Sequence, residues 1–256
     1  MTYEVKLMKI FEFGDQSKDK LLLIHGFQQP WQVWNAYIDH FKCNYHVIVP
    51  VLSGHDPDQK EDFISFDADA KAIEEYIIPL YGREIYAVYG MSMGGVLAAT
   101  LWQNQNLRFD KVIFDGSPLV SMNGFTKSFM LKFYLNITRK TQQRDQKTVE
   151  QATKSIVTTD QLDSFLKVMD NMSDATVENC INSIAAFSLK SDIDTPRTTP
   201  VIFYGTAANE SLAKKSAKFL KKNYPNAVLQ CFKGKAHCEN SIYHPNVMIA
   251  ELERIL

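Results

Sequence analysis

The sequence lacks several features that would point to particular classes of protein. Its 28 basic and 29 acidic residues nearly cancel, giving a formal net charge of −1. No charge excess would therefore draw it to nucleic acid or to an anionic membrane. No apolar run is long enough to span a bilayer, and the residues from Met1 to Lys6 lack the charged-then-apolar layout of a signal peptide. We therefore expect neither a nucleic-acid partner nor a membrane partner.

Cysteine is scarce and scattered. The four cysteines are Cys43, Cys180, Cys231 and Cys238, with no Cys-x-x-Cys pair among them. Free thiols fit a reducing compartment, so we expect a cytoplasmic protein. The adjacent residues His237, Cys238 and Glu239 could not hold a metal without remote partners, and we expect no metal site.

Short apolar runs alternate with helical patterns along the 256 residues, enough chain for one large α/β domain. This alternation predicts a mostly parallel sheet with helices on both faces. Strands are predicted at residues 2–13, 21–24, 45–51, 85–89, 111–115, 201–205 and 227–232. Helices are predicted at residues 31–41, 66–78, 96–102, 210–223 and 245–256.

The alternation breaks once, between Ser117 and Thr199, where the sequence indicates no strand. Four helical stretches are predicted there instead, at residues 122–138, 146–157, 160–172 and 174–189. This segment is too long for a loop. We interpret residues 117–196 as an inserted helical cap over the carboxyl edge of the sheet, where such folds bind ligands. Residues 1–116 and 197–256 would then form the core.

A Gly-x-Ser-x-Gly pattern centred on Ser92 follows the predicted strand at 85–89. By itself this pattern occurs often by chance, but here a strand precedes it and a helix follows it. That context predicts a nucleophile elbow, with the Ser92 hydroxyl exposed at the tip of a strained turn between small residues. The N–H of Met93, at the start of the helix, could stabilise an oxyanion.

A serine nucleophile needs a base, and His237 is the best-placed histidine. It follows the last predicted strand, at the same edge of the sheet as Ser92. Another histidine, His25, follows a buried strand and is expected to shape the loop of Gly26 and Phe27. The Phe27 N–H and the Met93 N–H would then form a two-donor oxyanion hole.

Together these motifs resemble the α/β-hydrolase superfamily over essentially the whole chain. The matching segments are His25-Gly26-Phe27, Ser53-Gly54-His55, Gly90-Met91-Ser92-Met93-Gly94-Gly95, and His237 after the last strand. The resemblance implies a Ser-His-acid triad with Ser92 as nucleophile and His237 as base, and no cofactor. It does not specify a substrate.

The acid of the triad departs from the family pattern. The family commonly places an aspartate about three residues past the glycine that ends the strand after the cap. That glycine is Gly205 here, and the expected slot holds Ala208. Two carboxylates remain, Glu210 in the same loop and Asp115 at the end of the strand after the elbow. We favour Glu210 as the acid. Glu210 could instead serve only as a favourable negative charge at a helix N-terminus, and Asp115 could instead serve only to cap a turn.

The resulting hypothesis is acyl transfer from a small to medium apolar ester to water. We expect Gly26, Met91, Phe125 and Phe129 to contact the substrate. The predicted cap contains large apolar side chains that could face the site or could mainly pack the cap helices against one another. These residues are Met122, Phe125, Phe129, Met130, Phe133 and Tyr134.

Other functions stay open from the sequence. The same three catalytic residues would serve a thioester, a lactone or a carbon–carbon bond next to a ketone, or a transferase or lyase. A weakened triad in a ligand-binding protein is the second alternative. The partner expected is a small acyl substrate, and the chain could be a monomer or a dimer.

Overall fold

The computed structural model describes residues 8–193 and 196–256. Within them, seven strands form one sheet in the order β1-β3-β2-β4-β5-β6-β7. Only the β1–β3 pair is antiparallel among these strands, so the predicted mostly parallel sheet is confirmed. The strands are β1 Ile10–Phe13, β2 Lys20–Ile24, β3 His46–Pro50, β4 Glu84–Met91, β5 Arg108–Asp115, β6 Thr199–Gly205 and β7 Val228–Phe232.

Helices cover both faces of this sheet. They are α1 Asn35–Phe41, α2 Phe66–Tyr81, α3 Met93–Asn104, α4 Gly124–Gln142, α5 Gln146–Ala152, α6 Leu162–Asn171, α7 Asp174–Ala186, α8 Ser211–Asn223, α9 Glu239–Tyr243 and α10 Pro245–Glu253. Short 3-10 helices lie at Trp31–Trp34, Thr159–Gln161 and Ala208–Glu210. None of the helices in the described residues has the length and hydropathy needed to cross a bilayer.

The central strands are apolar on both faces because helices cover both faces. The β2 residues Leu21 to Ile24 are fully buried, as a strand between two helical layers requires. Strand β4 lies between β2 and β5, and Gly90 of β4 pairs with Ile24 on one side and Phe114 on the other. The end of β4 therefore sits at the middle of the carboxyl edge of the sheet.

The segment between β5 and β6 is helical, as the sequence predicts, and contains α4 to α7. It has its own apolar residues, among them Phe165 and Val168 of α6 and Val177 and Ile181 of α7, all buried. The segment also contacts the core, where the Gln28 side chain donates to Thr138 of α4 over 2.8 Å. The division of the chain at residues 117–196 into a cap stays a prediction.

Some element bounds differ from the sequence-based expectation. Of the strand predicted at 2–13, residues 2–7 lie outside the described residues, and Ile10–Phe13 pairs with β3 at the sheet edge. The last helix ends at Glu253, because the N–H groups of Ile255 and Leu256 both donate to the Leu252 carbonyl in a closing turn. Helix α9 is not predicted, since five residues are too few to show a helical period.

Candidate active site

Ser92 occupies the turn between β4 and α3, as the pattern predicts. Its backbone is strained, with φ of 52° and ψ of −113°, a combination that L-residues seldom adopt. The turn is held by the Ser92 N–H, which donates to the Asp115 carbonyl over 2.7 Å. The Asp115 carbonyl of β5 thus fixes the serine at the carboxyl edge of the sheet.

Glycines flank Ser92 because backbone fills the space a side chain would need. A Cβ on Gly94 would lie 2.2 Å from the Ile24 carbonyl oxygen, and one on Gly90 would lie 2.3 Å from the Gly94 carbonyl oxygen. Neither backbone atom can move without displacing a strand or the helix. The close approach of β2, β4 and α3 therefore excludes any side chain at these two positions.

His237 lies in the loop between β7 and α9, with its ring between Ser92 and Glu210. Its Nε2 is 2.9 Å from Ser92 Oγ, and its Nδ1 is 2.6 Å from Glu210 Oε1. A carboxylate only accepts, so Nδ1 carries the proton and donates to Glu210. Nε2 is then free to accept the Ser92 hydroxyl proton.

Glu210 is held rigidly in place. Its side chain is 1% exposed, and its second oxygen, Oε2, accepts the Gly205 N–H over 2.8 Å. Glu210 ends the 3-10 helix Ala208–Glu210, two residues after the slot that the family pattern would use. The longer glutamate side chain spans the difference and reaches His237.

Asp115, the alternative acid, does not bond to His237 in the described structure. Its carboxylate accepts the Ser241 hydroxyl over 2.5 Å, and the Tyr89 hydroxyl lies 3.4 Å away. Burial raises the pKa of Asp115 to about 6. The side chain points into this buried hydroxyl cluster because Ser241 of α9 packs over the end of β5, a neighbour that the sequence pattern does not reveal.

The charge balance at His237 favours the imidazolium. Burial lowers the pKa of His237, but the hydrogen bond that its Nδ1–H donates to Glu210 and the charges of Glu210 and Asp115 outweigh it. The net result is a pKa above the usual value for histidine. The side chain is 35% exposed, so water reaches one side of the ring.

Two buried histidines hold the loop that follows β2. His25 Nε2 accepts the Leu52 N–H over 3.2 Å, and His55 Nε2 accepts the Gln28 N–H over 3.1 Å. Each ring uses its Nδ1 on a carbonyl, Gly26 for His25 and Ser53 for His55. The histidines therefore tie the loop after β2 to the loop after β3.

Both rings are neutral at ordinary pH. Burial lowers the pKa of His25 to about 4 and that of His55 to about 3. Only a neutral imidazole can accept an N–H at one nitrogen while donating from the other. The neutral state is thus a condition for holding Gln28, whose φ of 63° is unusual for a non-glycine residue.

The two expected oxyanion donors are the Met93 N–H, in the residue after Ser92, and the Phe27 N–H, in the loop after β2. Met93 is the first residue of α3, so its N–H has no acceptor within that helix. Phe27 is held from both sides, since the Gly26 N–H donates to the Gln29 side chain over 2.9 Å and the Gln28 N–H donates to His55. Gln28 and Gln29 are positioning residues that the sequence analysis did not single out.

The residues expected to contact substrate are in different settings. Gly26 lies against the elbow, where an added Cβ would be 3.3 Å from the Met91 carbonyl oxygen. Met91 is buried in the core. Phe125 and Phe129 are 83% and 63% exposed, so they do not pack the inserted helices together. For these four residues, substrate contact stays a prediction.

A row of aromatic rings joins the Phe27 loop to the exposed face of α4. The centroids of Phe27 and Tyr134 are 5.1 Å apart, those of Tyr134 and Phe133 are 5.3 Å apart, and those of Phe133 and Phe129 are 6.2 Å apart. Phe125 makes no such ring contact within the described residues. Three phenylalanines at four-residue spacing share one face of α4, a pattern the sequence displays directly.

A cleft of about 450 Å³ opens beside His237. Its walls come from the residues just after α5, the 3-10 helix before α8, the loop of His237, and α9 with the residue after it. The side chains that line it are mostly polar. The sequence pointed to His237 among them, and Glu239 was considered only as a metal ligand. The others include Thr153, Lys154, Ser155, Asn209, Tyr243 and His244.

Within residues 8–193 and 196–256, no group of three or more His, Cys, Asp or Glu side chains is placed to hold a metal ion. The chemistry available at the described site is that of a serine hydroxyl, an imidazole and a carboxylate in a hydrogen-bonded row. Such a row transfers the serine proton to the imidazole as the oxygen attacks an electrophile.

The parallel sheet, the strained serine turn and the histidine after the last strand together define an α/β hydrolase architecture. A sequence model described as "alpha/beta hydrolase fold" matches residues 20–239. The chain belongs to this family. No curated protein matches the sequence significantly.

Solved structures agree on the fold. A lipase-esterase related protein from Clostridium acetobutylicum has a TM-score of 0.71 at 17% identity, covering 98% of this chain and 100% of that one. A thermophilic esterase from Thermogutta terrifontis has a TM-score of 0.70 at 15% identity, covering 97% and 92%. MenH from S. aureus has a TM-score of 0.69 at 17% identity, covering 97% of each chain.

Proposed function

We propose that the protein is a serine hydrolase of the carboxylesterase type. The observation that carries this proposal is the continuous hydrogen-bonded row from Ser92 through His237 to Glu210, with contacts of 2.9 Å and 2.6 Å. Binding a ligand without turning it over would not require these three groups to be aligned. The esterases among the similar structures are consistent with the proposal.

The proposed reaction proceeds through an acyl-enzyme. His237 takes the Ser92 proton at Nε2 as Oγ attacks the ester carbonyl, and Glu210 stabilises the imidazolium through Nδ1–H. The carbonyl oxygen becomes an oxyanion and accepts the N–H groups of Phe27 and Met93. His237 then protonates the departing alcohol, and a water molecule attacks the acyl-enzyme by the same sequence of proton transfers.

The acyl part of the substrate is apolar in this proposal. The row of rings from Phe27 through Tyr134 and Phe133 to Phe129 begins at a proposed oxyanion donor and ends at the surface. An acyl chain lying along these rings would bury its methylene groups, each worth about 0.8 kcal/mol. Gly26, Met91 and Phe125 remain proposed contacts.

Residues 117–196 act as a cap in this proposal. The inserted helices are tied to the oxyanion loop, because Gln28 bonds to Thr138 and Gln29 donates to the Ile156 carbonyl, each over 2.8 Å. The proposed location is the cytoplasm, which the four free cysteines support. A small acyl ester is the proposed partner.

Hydrolysis of p-nitrophenyl esters from acetate to palmitate tests this proposal. Wild-type protein is expected to hydrolyse the short and medium esters, and Ser92→Ala is expected to reduce hydrolysis to the background rate. Phe129→Ser should lower kcat/KM for the medium esters more than for the acetate. Equal hydrolysis by wild type and Ser92→Ala would reject the proposal.

A further inference from the structure

The polar cleft beside His237 lies where the alcohol part of an ester substrate would be bound. This inference rests on the proposed ester hydrolysis. His237 Nε2 must donate a proton to the departing alcohol oxygen, so that oxygen lies within hydrogen-bonding reach of the ring. The cleft opens beside the same ring. The remainder of the alcohol therefore extends into the cleft.

The hydroxyl groups of the cleft wall have their own protons already engaged. Thr153 Oγ1 donates to the Glu150 carbonyl over 2.9 Å, and Ser155 Oγ donates to the Gln151 carbonyl over 2.8 Å. Tyr243 donates to the Val157 carbonyl over 3.3 Å. These three hydroxyls consequently offer lone pairs to a ligand and act as acceptors.

Two further side chains supply donors. Lys154 is exposed and makes no ion pair within the described residues, so its ammonium is available for a ligand. Asn209, across the cleft, offers both an amide donor and a carbonyl acceptor. The wall thus presents donors and acceptors side by side.

We propose that the alcohol released by this enzyme is a neutral polyol, such as glycerol or a sugar. Vicinal hydroxyls donate and accept at adjacent positions, which is the pattern the cleft offers. An alkyl alcohol would displace water from the free lone pairs of these hydroxyls and from the Lys154 and Asn209 donors without replacing the lost hydrogen bonds, which is costly. An anionic alcohol would meet one unpaired ammonium but also three acceptor oxygens and the Glu239 carboxylate, which is already paired with Lys235 over 2.7 Å.

The test compares two butyrate esters that differ only in the alcohol. The probes are 1-propyl butyrate and 1-glyceryl butyrate, with each rate divided by the rate of base hydrolysis to remove intrinsic reactivity. Wild-type kcat/KM for the glyceryl ester is expected to exceed that for the propyl ester by about tenfold, the value of one or two hydrogen bonds. A third probe, 1-butyrylglycerol 3-phosphate, should be a poorer substrate than the glyceryl ester.

Substitutions in the cleft wall test whether its residues cause the preference for the glyceryl ester over the propyl ester. Lys154→Met and the isosteric Thr153→Val should each lower the glyceryl-to-propyl ratio by about threefold to tenfold. The matched control is Lys147→Met, at another exposed lysine, in α5, that does not line the cleft. It should keep the wild-type ratio, and thermal unfolding should show that all three variants are folded.

The possible failures are distinguishable. If the esters are hydrolysed with no glyceryl preference, or if the phosphate ester is preferred, the polyol inference is wrong and the ester hydrolase stands. A ratio unchanged in both Lys154→Met and Thr153→Val would also overturn it. If no ester is hydrolysed faster than by Ser92→Ala, the proposed function fails, and the polyol inference fails with it.

Discussion

The Glu210 carboxylate lies 2.6 Å from Nδ1 of His237 while its other oxygen accepts the backbone N–H of Gly205. One buried side chain thereby joins the end of β6 to the histidine loop. The family pattern would place a shorter acid two residues earlier, where this chain has Ala208. A one-methylene longer side chain on the last residue of a 3-10 helix makes the same contact.

The first prediction separates the two carboxylates. Glu210→Gln should lower kcat for ester hydrolysis by about 10³-fold to 10⁴-fold, because the imidazole loses the group that fixes its tautomer and stabilises its charge. Asp115→Asn should lower kcat by about tenfold or less, since Asp115 bonds to Ser241 and Tyr89 instead. Steady-state kinetics on p-nitrophenyl butyrate measures both.

Unfolding in urea serves as the control for this pair, because both variants must be folded for the comparison to hold. If Asp115→Asn abolished activity in a folded protein and Glu210→Gln did not, the acid would be Asp115 and the proposed row would be wrong.

The second prediction concerns pH. A base must be neutral to accept a proton, so kcat/KM should be low below the pKa of His237 and rise as pH increases through it. That pKa is raised, since Glu210 outweighs the opposing effect of burial. The midpoint of the acidic limb should therefore lie above 6.5 in wild type and move to lower pH in Glu210→Gln. Profiles of kcat/KM from pH 5 to 9 give both midpoints, and a midpoint unmoved by Glu210→Gln would contradict this assignment.

The third prediction tests the packing at the elbow. In Gly94→Ala, the new Cβ would lie 2.2 Å from the Ile24 carbonyl oxygen, and the free energy of unfolding should fall by about 3 kcal/mol. The control is Gly124→Ala, at the start of α4, where an added Cβ meets nothing within 4 Å. That change should be neutral or stabilising by up to about 1 kcal/mol. Equal effects at the two sites in urea unfolding would show that the approach of β2 to α3 is looser than described.

The fourth prediction concerns His55 as a positioning residue. Loss of the acceptor for the Gln28 N–H in His55→Ala should loosen the Phe27 loop and lower kcat by about tenfold or more. His55→Gln, whose side-chain oxygen can accept that N–H, should recover part of the loss. If a folded His55→Ala protein had the same kcat as wild type, His55 would not be a positioning residue for the Phe27 loop.

The fifth prediction concerns how the free energy of unfolding of wild type and of His55→Gln depends on pH. The pKa of His55 is about 3 in the folded protein, against an ordinary value near 6.5, so the unfolded chain binds the proton first as pH falls. The contribution of neutral His55 is complete above pH 6.5 and is lost as pH falls toward 3. The stability difference between wild type and His55→Gln should therefore change in favour of the variant by about 1.4 kcal/mol per pH unit below 6.5. Urea unfolding at pH 7, 6 and 5 measures it, and a constant difference would mean that His55 titrates normally.

The sequence predicted the features that depend on local pattern. Continuous apolar runs such as Leu21 to Ile24 indicate strands buried on both faces, and the glycines around Ser92 indicate a tight turn between strand and helix. The position after the last strand pointed to His237 as base, the usual acid loop of the family favoured Glu210, and the structure brings these two side chains within 2.6 Å. The strands and the turn are visible because each rests on residues close together in sequence, whereas His237 and Glu210 were found from their positions after strands whose carboxyl ends share one edge of the sheet.

The remaining features depend on contacts between distant segments. Gln28 meets His55, and Asp115 meets Ser241, only once the loops of separate strands come together at the sheet edge. The polar cleft likewise combines residues near 153, 209 and 243, which no periodicity connects. The exposure of Phe125 and Phe129 depends on which face of α4 is covered, and the helical period alone does not decide that.

Covalent labelling of Ser92 tests the central claim most directly. Wild-type protein and Ser92→Ala would be treated with a fluorophosphonate, and intact mass and peptide mapping would locate the adduct while p-nitrophenyl butyrate hydrolysis is followed in parallel. The proposed function predicts one adduct on Ser92, loss of hydrolysis in step with labelling, and neither labelling nor hydrolysis in Ser92→Ala. Hydrolysis that persists in Ser92→Ala, or in fully labelled wild type, would contradict it.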